Sequence, residues 1–183
     1  MAGIVGIVSR RPREDCRSRL ARMVAALGPA SGEDWGLDSF DDLFTHVGWT
    51  TRTGEFADGM PFGNEAEGAA LFLTGELFDG PSSGRAANGS GSRHPRHNAG
   101  YLVHLYEEMG ERFLEERNGL FSGVLLDRRR KKAFLFNDRY GMKRLFVHER
   151  EDELFFASGA RALLAVLPET GEFDPAGIAE YFT

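Results

Sequence analysis

Few side chains in this sequence could do chemistry, and their spacing limits what that chemistry could be. Cys16 is the only cysteine, and the five histidines, His46, His94, His97, His104 and His148, fall at spacings that form no Cys/His metal set. An internal disulfide is excluded and no zinc pattern is present. Cys16 stands in a charged segment and reads as a structural or surface thiol, His104 as a helix-face residue, and His94 and His97 as members of a polar loop. Trp49 reads as a core aromatic. In Thr74-Gly75-Glu76, at the end of an apolar run, Gly75 on its own reads as a tight turn between strands and Glu76 as an exposed acid.

These residues depend on strands and helices to carry them. Gly3 to Val8 is a β-branched apolar run and predicts a buried strand, which places residue 2 at a sheet end. From Arg17 to Leu27, Leu20, Met23, Val24 and Leu27 recur at helical spacing, and Gly28-Pro29 stops the helix. A loop rich in glycine and aspartate is expected next. Phe44 to Thr51 and Ala69 to Thr74 predict strands, the second apolar enough to be covered on both faces. Gly100 to Leu114 predicts a second amphipathic helix. Leu120 to Asp127 and Lys132 to Asn137 predict strands around a basic turn, and Leu145 to His148 and Leu154 to Ala157 a further pair before a helix from Ala160 to Leu167. The order implies an α+β fold with helices available to cover sheet faces.

Composition narrows the partners. With 183 residues, 42% of them hydrophobic, the chain is sized for one globular domain with a substantial core. A net charge of −6 argues against nucleic acid or an anionic membrane as partner. The one basic run, Arg128-Arg129-Arg130-Lys131-Lys132, lies between two apolar runs and reads as a solvated hairpin turn. No apolar run approaches the roughly 18 residues of a membrane span, and no signal-peptide order opens the chain, so a reducing cytoplasm is the expected setting. Residues 80–97 hold almost no apolar side chain and are expected to form a mobile loop.

The opening Met1-Ala2-Gly3-Ile4-Val5-Gly6 resembles the Met-Cys-Gly-Ile-x-Gly start of class II glutamine amidotransferases, with alanine where that family carries its nucleophilic cysteine. Four further segments resemble the N-terminal domain of the asparagine synthetases, in the family's order. They are Asn118-Gly119-Leu120-Phe121 through Asp127, Asn137-Asp138-Arg139-Tyr140-Gly141-Met142-Lys143 through Phe146, Leu154-Phe155-Phe156-Ala157-Ser158 with the helix Gly159-Ala160-Arg161-Ala162-Leu163, and Phe173-Asp174-Pro175 through Tyr181-Phe182-Thr183. The resemblance covers residues 1–183 as a single domain and implies the N-terminal-nucleophile hydrolase fold, a four-layer α/β/β/α sandwich of two antiparallel sheets. Residues 172–183 resemble the start of a linker to a synthetase domain.

What the resemblance implies about the site follows residue by residue. Ala2 at the nucleophile position has no side-chain atom that could attack an amide. Thr51 stands at the family's carboxylate-clamping arginine, in Gly48-Trp49-Thr50-Thr51, and Arg52 lies one residue along, on the opposite strand face unless a bulge intervenes. Thr74 replaces the oxyanion-hole asparagine ahead of Gly75 and Glu76, and Asn98 replaces the acid that pairs with the substrate ammonium. Trp49, Thr51, Thr74, Gly75, Glu76 and Asn98 are thus the pocket equivalents, and no catalytic residue is intact. The leading expectation is a catalytically silent glutaminase-like domain serving as scaffold or interface in an asparagine-synthetase-like or ATP-dependent amide-forming enzyme. Relatives that make β-lactams or lasso-peptide macrocycles keep the fold without the cysteine. The alternatives are a glutamine-hydrolysing asparagine synthetase domain carrying a Cys-to-Ala change at position 2, and a small-molecule binding module with a remodelled pocket. No cofactor is expected in this chain: with no Ser-Gly-Gly-x-Asp-Ser loop, ATP and Mg²⁺ belong to an associated synthetase domain. That domain, a partner protein or a second copy is the expected partner.

Overall fold

Unbroken apolar runs become central strands, because only a strand covered on both faces leaves no position for a polar residue. In the computed structural model, which describes residues 2–29, 31–64, 68–78, 99–172, 175, 176 and 180, β1 (Gly3–Ser9) pairs antiparallel with β3 (Thr45–Arg52) on one side and β9 (Glu153–Ala157) on the other. With β2 (Glu33–Phe40) and β8 (Phe146–Arg150) at the edges, the first sheet has the order β2-β3-β1-β9-β8. The second has the order β4-β5-β6-β7, built from Phe62–Asn64, Ala69–Leu77, Gly119–Asp127 and Lys132–Asn137.

Helices close the outer faces. Helix α1 (Arg13–Leu27) and α3 (Ala160–Leu164) lie on the first sheet, burying Leu20, Met23, Val24, Ala162 and Leu163 against Val5, Ile7 and Phe155. Helix α2 (Tyr101–Met109) and the 3-10 segment Gly110–Leu114 cover the second, with Tyr106 and Phe113 packed edge-on or tilted against Phe134 and Phe136. Between the sheets, Ile4, Val47 and Phe156 meet the apolar face of β5 and β6, and each such buried side chain contributes about 1.5–3 kcal/mol. Within the first sheet the Phe156 ring lies over its register partner Gly6, where a Cβ would sit 2.0 Å from it. The result is the expected four-layer α+β sandwich of two antiparallel sheets.

Several boundaries differ from the sequence reading. Helix α1 begins at Arg13, before the apolar periodicity starts, because Pro12 sets its entry and Glu14 and Asp15 favour the positive helix N-terminus. The expected glycine and aspartate loop contains β2, a polar edge strand held to β3 by a continuous ladder from Glu33↔Arg52 to Phe40↔Thr45. An edge strand needs no alternating apolar pattern when its backbone ladder supplies the order. The helix expected over Gly100 to Leu114 changes to 3-10 geometry at Gly110, which adopts φ +63°. Helix α3 ends at Leu164 rather than Leu167. The expected loop at 80–97 lies outside the described residues, as does most of the segment 172–183.

The basic run is a hairpin turn between β6 and β7, as expected, but its charges are spent inside the molecule. Arg128 and Lys131 both pair with Asp42 of the first sheet's side, at 3.1 and 2.9 Å. Arg130 donates to the Tyr106 hydroxyl at 3.2 Å, and Lys132 pairs with Glu111 at 2.8 Å. The turn therefore ties the two sheets and α2 together.

Candidate functional site

Because β1 runs through the centre of its sheet, residue 2 arrives at the mouth between the sheets. Ala2 is buried and held from both sides. Its N–H donates to Glu55 Oε2 at 3.1 Å, and its carbonyl accepts from Thr74 Oγ1 at 2.5 Å. Ala2 forms the base of a cleft of about 500 Å³ lined by Gly54, Glu55, Phe56, Gly75, Glu76, Leu120 and Lys143.

Period-2 alternation explains the lining. Ala70, Phe72, Thr74 and Glu76 project from one face of β5, opposite Leu126, Val124, Ser122 and Leu120 of β6. Toward the middle of the sandwich this face is apolar core; at its end it opens as the cleft. Gly75 sits at the transition with φ +101°, and a Cβ on it would lie 2.0 Å from the Leu120 carbonyl oxygen. The tight-turn reading of Gly75 is therefore corrected. It is a residue within β5, paired with Phe121, where the partner backbone leaves no room for a side chain.

The positions singled out by sequence separate into three groups. Gly75 and Glu76 line the cleft with Ala2. Thr51 and Thr74 stand behind its wall, fully buried and already hydrogen bonded: Thr51 Oγ1 donates to the Ala57 carbonyl at 2.9 Å, and the Thr74 hydroxyl proton goes to Ala2. Thr74 in this arrangement has no proton left for an oxyanion. Arg52 is exposed, and the β2–β3 register passes through it without a bulge, so its side chain stays on the face away from Thr51. Trp49 is not a cleft residue, which corrects its place among the pocket equivalents. Its indole packs over Gly36 and donates from Nε1 to Asp38 at 2.8 Å, because β2, absent from the sequence reading, covers it. Asn98 lies outside the described residues.

Glu55, Phe56, Leu120 and Lys143 were not foreseen as site residues. Glu55 comes from the loop after β3, which the Thr51 to Ala57 bond and the Ala99 N–H to Phe56 carbonyl bond hold in place. Nothing local in the sequence marks it, since it meets Ala2 across 53 residues. Lys143 follows a turn organised by Asp138, whose carboxylate accepts the N–H groups of Tyr140, Met142 and Lys143. Its signal was present, within the segment Asn137 to Phe146 that resembles the family.

Other reactive groups lie elsewhere. Cys16 is buried on the inner side of α1, and burial pushes its thiol pKa up, the opposite of an activated nucleophile. His46 is buried beside Ser39, and burial lowers its pKa. His104 pairs with Glu107 on α2. Among the described residues there is no cluster suited to a metal ion and no helix long and apolar enough to cross a membrane. Among the described residues that line the cleft, none carries a hydroxyl, thiol or imidazole. The described lining offers the carboxylates of Glu55 and Glu76, the ammonium of Lys143 and the apolar walls of Phe56 and Leu120.

The sequence profile of the glutamine amidotransferase domain matches residues 1–183. Similar curated proteins include asparagine synthetase [glutamine-hydrolyzing] 2 of Bacillus subtilis, 30% identical over 90% of this chain and 22% of that protein. The protein of the same name from Arabidopsis thaliana is 27% identical over 97% of this chain and 31% of that protein. The chain thus spans between about a fifth and a third of the length of these relatives. Among solved structures, the allosteric regulatory enzyme of purine biosynthesis superposes with a TM-score of 0.68 at 15% identity, covering 90% of this chain and 43% of that one. Glutamine phosphoribosylpyrophosphate amidotransferase from B. subtilis superposes at 0.61 and 13% identity, over 90% of this chain and 43% of its own.

Proposed function

The chain belongs to the glutamine amidotransferase domain family, and from that premise we propose that it is a member that does not hydrolyse glutamine and serves as a scaffold or interface for an amide-forming enzyme. One observation carries the reading: at the base of the cleft stands the methyl group of Ala2, with the Glu55 carboxylate on its nitrogen and the Thr74 hydroxyl on its carbonyl. Acyl transfer requires a nucleophile with a base and a donor aimed at the developing oxyanion. The nucleophile is missing, and the side chain at the donor position is committed to the main chain. The buried, hydrogen-bonded Thr51 supports the same reading, because a planar guanidinium is the group that grips a carboxylate with two parallel bonds.

In this proposal ATP and Mg²⁺ would be held by an associated synthetase domain, in keeping with the larger size of the curated relatives. The test is glutamate release from glutamine by the native chain and by Ala2→Cys, with mass spectrometry establishing whether Met1 has been removed. Neither protein is expected to turn over, since an absent oxyanion donor alone costs about 10²–10³ in rate. Robust release by either one overturns the proposal. Turnover by Ala2→Cys alone would favour a glutamine-hydrolysing parent altered at one residue.

A further inference from the structure

The cleft is acidic and apolar at once, and its polar groups are not all engaged. Among the described residues its charged lining is two carboxylates, Glu55 and Glu76, against one lysine, Lys143. Glu55 receives the Ala2 N–H through one oxygen. Glu76 is exposed at the end of β5, and among the described residues no hydrogen bond or ion pair engages its carboxylate. Phe56 and Leu120 supply apolar walls, and Leu120 is 40% exposed. A buried polar group lies outside the described lining. Ser122 lies directly across from Thr74, on the face of β6 that carries Leu120, and its Oγ is wholly buried with no hydrogen-bond partner among the described residues.

A free carboxylate beside apolar walls matches a cation on an apolar stem. The charge-assisted bond is about twice as strong as a neutral one, and methylene groups bury against aromatic and aliphatic side chains while the charged head stays with its partner. A second, anionic end on the ligand fits poorly, because two of the three charged residues in the described lining repel it and the Thr51 hydroxyl is committed to Ala57.

We propose that the cleft binds a primary ammonium group carried on an apolar chain without a neighbouring carboxylate, supplied by a free alkylamine or by a lysine side chain of a partner protein. The inference rests on the reading of this cleft as one that no longer hydrolyses glutamine.

Calorimetric titration of the full chain tests it with four probes: Nα-acetyl-lysine methylamide, 1,5-diaminopentane, Nα-acetyl-norleucine methylamide and L-glutamine. At least one of the two amines is expected to bind, at least tenfold more tightly than the neutral norleucine compound and than glutamine. Glu76→Gln, an isosteric change at an exposed position, is expected to weaken amine binding about tenfold, and added salt to weaken it further. Tighter binding of the diamine assigns a free amine, and tighter binding of the lysine derivative assigns a protein side chain. Equal binding of the norleucine compound or of glutamine, unchanged affinity in Glu76→Gln, or no binding of either amine overturns the inference. Glutamate release by the native chain would overturn the proposed function instead, so the two failures are distinguishable.

Discussion

Replacing Gly75 by alanine is a direct probe of how the cleft is built. Two costs arise at that position. The first is conformational: at φ +101° a Cβ meets its own backbone, at about 1–2 kcal/mol, partly offset by the lower entropy of the unfolded alanine chain. The second is steric. The new Cβ would lie 2.0 Å from the Leu120 carbonyl oxygen and 2.9 Å from both Leu120 C and Phe121 Cα, all of them backbone atoms of the neighbouring strand that cannot rotate away. Overpacking of this kind costs about 1–3 kcal/mol or more. Gly54 provides the matched control, because it has φ +85° but nothing within 4 Å of an added methyl group. Gly54→Ala is expected to lose at most about 1 kcal/mol and Gly75→Ala about 3–4 kcal/mol. At about 3 °C per kcal/mol for a domain of this size, that corresponds to a fall in Tm of about 10 °C for Gly75→Ala. Urea denaturation and thermal melts of both variants supply the comparison. If Gly75→Ala proves no more damaging than Gly54→Ala, the close approach of β5 and β6 at the cleft is wrong.

Other consequences concern charge. Asp127, Asp138 and Glu153 are buried, which opposes ionisation, yet hydrogen bonds, joined at Asp127 and Glu153 by arginine partners, outweigh burial and hold each carboxyl below the usual range. Since these pKa values are lowered on folding, the stability they contribute is complete above the ordinary carboxylate pKa of about 4 and is lost as pH falls through the depressed native values. Melts between pH 6 and pH 2 should show that decline. Tyr106→Phe removes a donor to Asp127, so it is expected to cost about 1–3 kcal/mol near neutral pH and to make the acid decline shallower; an unchanged acid profile would count against the Tyr106–Asp127–Arg130 network. Asp42→Asn breaks the pairing of Arg128 and Lys131 between the sheets, where both basic side chains are more than half exposed. It is expected to cost under about 1 kcal/mol, with the difference gone by about 1 M salt, and a larger, salt-independent loss would contradict a solvent-screened clasp.

The central strands were legible because burial on both faces writes itself into composition: β1, β5 and β6 stand out as apolar runs wherever they are placed. Edge strand β2 was not legible, since Glu33-Asp34-Trp35-Gly36 carries no alternation and its order comes from pairing with β3. The consequence reached the site, because an unforeseen β2 is what draws Trp49 away from the cleft. Glu55 escaped notice for a related reason, as its loop is fixed by bonds to Thr51 and by contact with the start of α2 rather than by any local pattern.

By itself the sequence determined that residue 2 ends a buried strand and carries only a methyl group, and that Thr74-Gly75-Glu76 follows a run apolar enough to be a central strand. Those are facts of residue type and of period-2 alternation, and they survive any packing of the sheets. Only the tertiary structure decided which polar groups remain free. Thr74 reaches Ala2 across 72 residues and Glu55 across 53, so whether each hydroxyl or carboxylate faces the cleft or is used up by the main chain depends on how the two sheets meet.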